Sequence, residues 1–244
     1  MRLSLALLCS ASLLAGCASA PQDPTGIWIN QAAIDAAAEG GPLREALLAY
    51  GPNLEWQVDP ARQSAVVSNG FELSEGRLQA DPAGAWSVDF YGDFHERLSF
   101  DGAALVQAES ANGPQQRFAR PPFTVAAHAP QGSSFERALY AAYLGGDWQI
   151  AQGSGQGGLV RFHPDGTVEG LPGAERYALC LAGDCAAMSG EHDSLWLQLG
   201  PQGSTWLFAR DGGQLRVFEA INQAAVNDMP DYRPGQQVWL LERD

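Results

Sequence analysis

Two stretches of this chain, about 120 residues apart, open alike: Gly26-Ile27-Trp28-Ile29 and Gly146-Asp147-Trp148-Gln149-Ile150. The likeness continues downstream. Leu54 to Pro60 parallels Leu159 to Gly166, and Arg97 to Val106 parallels Trp206 to Val217. The later offsets are shorter, about 110 and 106 residues, and an insertion of about 14 residues after the first strand of the first half reconciles them. A chain that repeats itself this way is built from two similar units.

The repeated unit reads as β. Trp86 to Tyr91, Leu195 to Leu199 and Gln214 to Phe218 are short runs rich in apolar and aromatic residues. Asp-Gly pairs at 101–102, 165–166 and 211–212 mark hairpins, because glycine accepts the positive φ that tight hairpin turns demand. Asp59-Pro60, Asp81-Pro82 and Gly200-Pro201 mark further turns. Two helical stretches interrupt the strands. Gln31 to Tyr50 is rich in Ala and Leu and breaks at Gly40-Gly41, with Pro42 suited to the first position of a second helix and Gly51 following its end. Ser134 to Leu144 is the other; Ser133 and Glu136 have capping-box spacing, and Gly145 ends it. The expected fold is mostly β: two tandem small antiparallel barrels or sandwiches with short helices and a helix-turn-helix insert in the first. The expected divisions are 1–16, 17–24, 25–125 and 126–244, the last two folding separately.

A Gly-x-Trp opening the first strand of an antiparallel barrel resembles lipocalins and their calycin relatives. Strand, helix, turn, helix, strand in the first half resembles the lid of fatty-acid-binding proteins. The resemblance implies a small barrel with Trp28 and Trp148 near one end, and a small apolar ligand held in the first half. Leu47, Tyr50, Trp56 and Phe90 are the candidate lining residues. Each half is short for an eight-stranded barrel.

The N-terminus carries an address. Met1-Arg2 precedes an apolar run from Leu3 to Leu14. As a helix that run reaches roughly 18 Å, too short for a bilayer core of about 30 Å, so it is an export signal and not a span. Leu14-Ala15-Gly16-Cys17 resembles the lipobox of bacterial lipoproteins, which implies cleavage after residue 16 and acylation of Cys17. The alternative is an ordinary signal cut after Ala18-Ser19-Ala20. Ala18 after the cysteine resembles the pattern of outer-membrane lipoproteins, and residues 18–24 would form a short tether facing the periplasm.

Charge and chemistry exclude more than they assign. The net charge is −14, with 28 acidic residues against 14 basic ones, so nucleic acid is not an expected partner. Every basic residue is arginine, which removes P-loop, Schiff-base and Ser-Lys chemistry. The histidines, His95, His128, His163 and His192, sit in no metal or catalytic motif. Gly153 to Gly158 is glycine-rich but opens no helix, and reads as a hairpin loop. Cys180 and Cys185 remain after export to an oxidising compartment, and a disulfide across a hairpin end is the natural reading. A redox pair usually has two intervening residues, and a zinc site wants four ligands. No catalytic residue, metal or cofactor is assigned. Two non-enzymatic readings stand: a lipid-anchored envelope protein binding a small apolar molecule or serving envelope maintenance, or an acidic module recognising a basic partner protein, in the setting of periplasmic lysozyme inhibitors.

Overall fold

The computed structural model describes residues 23–81, 84–92 and 94–243. The lipobox and Cys17 lie outside them.

The first unit is an antiparallel meander of eight strands in chain order. They are β1 (Gly26–Ile29), β2 (Glu55–Asp59), β3 (Ser64–Ser68), β4 (Leu73–Ala80), β5 (Trp86–Asp89), β6 (His95–Asp101), β7 (Ala104–Gln107) and β8 (Gln116–Phe118). The first and last strands meet through a reciprocal backbone pair: Ile29 N–H donates to Ala119 O at 2.8 Å, and Ala119 N–H to Ile29 O at 2.9 Å. The sheet is therefore a nearly closed barrel.

The second unit repeats the plan. Helix α3 (Ser133–Tyr143) leads into β9 (Gly146–Gln152), β10 (Leu159–Phe162), β11 (Val168–Glu169) and β12 (Arg176–Leu179). Helix α4 (Gly183–Ser189) follows, then β13 (Asp193–Leu199), β14 (Gln202–Asp211), β15 (Gln214–Asn222) and β16 (Tyr232–Glu242). Here β16 pairs directly with β9, Leu241 opposite Ile150. The β11–β12 seam is held by Val168 N–H to Glu175 O at 2.9 Å and Tyr177 N–H to Gly166 O at 2.8 Å.

The sequence parallels fall on strands of the same rank. Trp28 and Trp148 lie on first strands, Leu54–Pro60 and Leu159–Gly166 cover second strands, and the last pair covers sixth and seventh strands. The Asp-Gly hairpins at 101–102 and 211–212 close two-residue turns, Asp101 opposite Ala104 and Asp211 opposite Gln214. The insertion is α1 (Gln31–Ala38) with α2 (Leu43–Leu48). Asn30 starts α1 by accepting the Ala33 amide, and Gly40, at φ 85°, lets the chain turn into α2.

Three local expectations are corrected. Pro42 is the N-cap of α2 and not its first residue. Ser133 and Glu136 form no capping box: Gly132 is the N-cap of α3, and the Ser133 hydroxyl donates to Pro130 O. Cys180 and Cys185 are disulfide-bonded, but the bond joins the end of β12 to helix α4 and not the arms of a hairpin.

The helix-turn-helix also packs where a lid would not. Ile34, Ala37, Leu43 and Leu47 join one continuous core with Phe135, Leu139, Tyr143, Trp148 and Phe208 of the second unit. The first barrel has its own core of Trp28, Trp56, Val58, Val67, Leu78, Val88, Leu98, Leu105 and Phe118. Helices α1 and α2 thus serve as part of the second unit's interior.

Candidate functional site

The four candidate lining residues do not converge. Trp56 is fully buried inside the first barrel, its indole N–H donating to Gln107 Oε1 at 3.1 Å. Phe90 packs beside it with ring centroids 6.2 Å apart. Leu47 is buried in the other core, and Tyr50 is exposed. The first barrel's interior is occupied by its own tryptophans and phenylalanines. The second is occupied by Trp148, Phe162, Tyr177, Phe208 and Trp239.

Each barrel is locked at one end by the same device. Trp28 donates its indole N–H to Pro24 O, and Trp148 to Leu144 O, both at 2.8 Å and both four residues back. Gly26 and Gly146 precede them at φ 107° and 108°. An arginine just beyond each last strand stacks on the indole: Arg120 at 3.7 Å from the Trp28 ring and Arg243 at 4.4 Å from the Trp148 ring. Arg120 also donates to Ile27 O and Asp23 O, and Arg243 to Gly145 O. Burial lowers the pKa of both guanidiniums. The glycine and tryptophan of each device are legible in the sequence, whereas the arginines are marked there only by their matched positions at the ends of the two halves.

The junction between barrels is built from reciprocal acid caps. Glu55, 2% exposed on β2, accepts Gly132 N–H at 2.9 Å and Phe135 N–H at 2.8 Å, capping α3 of the second unit. Burial raises its pKa, although the α3 amides pull the other way. In return Asp193 on β13 accepts Leu43 N–H at 2.6 Å and Arg44 N–H at 3.1 Å, capping α2 of the first unit. Arg44 itself donates to the carbonyls of Ala186, Gly190 and His192. Arg210, buried on β14, donates to Tyr143 O and reaches Ala38 O; burial pushes its pKa down to about 10. Gly40 and Gly212 touch backbone to backbone, Gly212 N–H donating to Gly40 O at 3.1 Å.

At the surface of this junction, Phe71 from the β3–β4 turn packs over Gly183 of α4. Phe71 remains 49% exposed, and Leu48, one helical turn beyond Arg44, is 69% exposed. The neighbouring acids Glu45, Glu72, Asp184 and Glu191 are exposed, and none forms an ion pair among the described residues. Half of the exposed arginines, in contrast, are matched to nearby aspartates: Arg62 to Asp59, Arg97 to Asp81, Arg117 to Asp101, Arg161 to Asp147 and Arg233 to Asp231.

A cavity of about 200 Å³ lies beneath the segment joining the barrels. Phe123, Val125, Ala126 and Ala129 roof it, α3 supplies its floor, and Pro164 and Asp165 of the β10–β11 turn close one end. Among the described residues no three His, Cys, Asp or Glu side chains are grouped to hold a metal ion, and no helix is long and apolar enough to cross a membrane. No protein-family model, curated protein or solved structure matches this chain.

Proposed function

We propose that this chain is a non-enzymatic, lipid-anchored envelope protein, held through Cys17 on the periplasmic face of the outer membrane, whose acidic body recognises a basic partner protein. The observation that carries this reading is the junction face. Leu48 and Phe71, and the acids Glu45, Glu72, Asp184 and Glu191, which form no ion pair among the described residues, are exposed on α2, the β3–β4 turn, α4 and the turn after it, elements that meet at the junction. Apolar anchors ringed by like charge fit a partner that presents arginine or lysine around an apolar contact. With a net charge of −14, and half of the exposed arginines paired with aspartates beside them, the field outside the body is that of the acids. The duplicated Gly-x-Trp arrangement supports a lipocalin-like origin for the barrels. The small apolar ligand of the first barrel is not favoured, because Trp56 and Phe90 occupy the volume it would need.

Binding of the purified acylated protein to a basic lysozyme, the probe suggested by the setting, tests the reading in low and high salt. Affinity should fall steeply as salt rises. The charge-reversed pair Glu72→Arg with Asp184→Arg should lose about ten-fold or more at low salt. Equal binding by wild type and the reversed variant, or none by wild type, overturns it. Mass spectrometry of the mature N-terminus tests the anchor independently: an unmodified start at any residue other than Cys17 removes it.

A further inference from the structure

We infer that the open end of the second barrel is a binding site for a neutral sugar ring, seated with a C–H face against Trp206. The site exists because two strands part there. Strand β14 pairs with β15 from Asp211 back to Trp206, which stands opposite Glu219. Beyond that pair β14 runs on to Gln202 with β13 alone, and β15 runs on to Asn222 with β16 alone. A cavity of about 340 Å³ lies at this end, with Trp206 and Trp239 in its wall. It shares no residue with the junction face and does not rest on the partner proposed for that face.

Strand register assembles the wall. Leu197 stands opposite Ser204 and Leu199 opposite Gln202. Trp206 follows Ser204 at the two-residue spacing that keeps side chains on one face of a strand. Leu197 belongs to the second unit's core, so this is the inner face. Trp206 packs on Trp239 with ring centroids 5.2 Å apart, and the Trp239 indole N–H is engaged by Ser154 O at 3.2 Å. The Trp206 indole N–H, the Gln202 amide and the Ser204 hydroxyl make no hydrogen bond among the described residues. All three can be reached from solvent: Gln202 and Ser204 are exposed, and Trp206 is half-buried.

The ligand class follows from what this wall offers. No charged side chain lines the cavity among the described residues, although the chain carries a net charge of −14. Glu175, beyond the end of β13, already accepts the Gly200 N–H at 2.8 Å. An anion would enter an acidic field without a counter-charge, and a cation would find no carboxylate in the wall. A wholly apolar molecule would cover Gln202 and Ser204 and leave them without partners. The two indoles pack on each other, tilted by 51°, and do not stand apart to enclose a quaternary ammonium. A pyranose ring meets both demands of the wall. Its C–H face suits an indole, and its hydroxyls donate and accept around the rim. The volume admits one such ring.

The test is a titration of the isotope-labelled full body, followed by amide chemical shifts, with three neutral sugars: methyl β-glucopyranoside, methyl β-galactopyranoside and N-acetylglucosamine. Cyclohexanol, choline and glucuronate are the controls for ring shape, cation and anion. At least one sugar should give saturable shifts confined to residues 172–173, 197–206 and 239, and should bind about ten-fold or more tightly than any control. Trp206→Leu, which keeps an apolar side chain against Trp239, should weaken that sugar by about ten-fold or more. Ser204→Phe fills the cavity from an exposed position, so it tests the site even where Trp206→Leu disturbs the core, and it should abolish binding. Unchanged shifts in the first barrel establish that each variant is folded. No saturable shift with any of the three sugars, equal binding of a control, shifts lying elsewhere on the body, or sugar binding that survives Ser204→Phe overturns the assignment.

Discussion

Asp193 and Arg44 are bound to each other twice over: the carboxylate accepts the Arg44 backbone N–H at 3.1 Å and lies 3.5 Å from its guanidinium. One residue belongs to a strand of the second barrel and the other to the helical insert of the first. The same carboxylate also takes the Leu43 amide. Asp193→Ala therefore strips the N-terminus of α2 and leaves a nearly buried arginine without its counter-ion. The expected loss is about 2–4 kcal/mol. At about 2–4 °C per kcal/mol for a body of this size, the melting temperature should fall by roughly 5–15 °C. Asp193→Asn, which keeps one acceptor oxygen, should fall less. Calorimetry of both variants checks the order.

Glu55 and Glu136 predict the pH response. Both carboxyls are raised by burial, and Glu55 repels Glu136. The folded state therefore holds their protons more tightly than the unfolded state. Between the ordinary glutamate range and their raised folded values, these two groups favour folding increasingly as pH falls, and above that window their penalty is complete. Asp23, Asp147 and Asp165 are lowered, each first by a side-chain hydrogen bond. Their contribution is present at higher pH and is lost only below the ordinary aspartate range. The two windows are separate. Glu136→Gln should be more stable than wild type at neutral pH and equal to it at about pH 4. Urea midpoints measured across that range check it; a variant no more stable at neutral pH contradicts the burial argument.

Arg243 and Arg120 make matched contacts, and removing either should cost stability. Arg243→Ala removes a cation stacked on Trp148 and a bond to Gly145 O. The expected cost is about 1–2 kcal/mol. Arg243→Lys keeps the charge but not the planar stack, and should recover only part of it. Arg120→Ala should cost less, because its 3.3 Å bonds to Ile27 O and Asp23 O are longer. Thermal melts with indole fluorescence read both.

The disulfide prediction follows from where its loop sits. Leu181, inside the loop, packs against Gly70, and Phe71 packs over Gly183. Cys180→Ser with Cys185→Ser frees a loop of few residues, worth roughly 2 kcal/mol. Protease cleavage near residues 180–190 should quicken in the variant, while the first barrel's tryptophan fluorescence stays unchanged.

Much of this architecture was legible because it is local. Gly26-Ile27-Trp28 and Gly146-Asp147-Trp148, the Asp-Gly turns and the break at Gly40-Gly41 each act within a few residues, so their sequence neighbours reveal them. The junction is not local. An amphipathic insert shows that Ile34, Leu43 and Leu47 need burial, but not whether their own barrel or the next one supplies it. Ser133 and Glu136 have the spacing of a capping box, yet the α3 amides are taken by Glu55, which comes from 80 residues earlier in the case of Phe135. A carboxylate on a strand carries no mark of the helix it will cap. The parting of β14 from β15 beside Trp206 was invisible for the same reason: where two strands separate is a property of space, not of order along the chain.

The continuous core makes the last prediction. The halves look separable in sequence, since a fragment beginning at Gln131 holds its own helix, its own Trp148 strand and the disulfide. In the fold, that fragment lacks Ile34, Ala37, Leu43 and Leu47, which pack with its Phe135, Leu139 and Tyr143. It also lacks Glu55, leaving the first amides of α3 without their buried acceptor. Each missing large side chain withdraws about 1.5–3 kcal/mol of burial, and a domain has only about 5–15 kcal/mol in hand. The isolated fragment should therefore be partly unfolded or self-associated, by circular dichroism and size-exclusion chromatography. Co-expression with residues 23–125 should restore a soluble one-to-one complex that melts as a single transition, because the insert then finds its place in the second unit's core. A fragment from Gln131 that is monomeric and melts cooperatively at the temperature of the whole body would show that the insert adds nothing to that core, and the junction described above would be a contact between two independent domains.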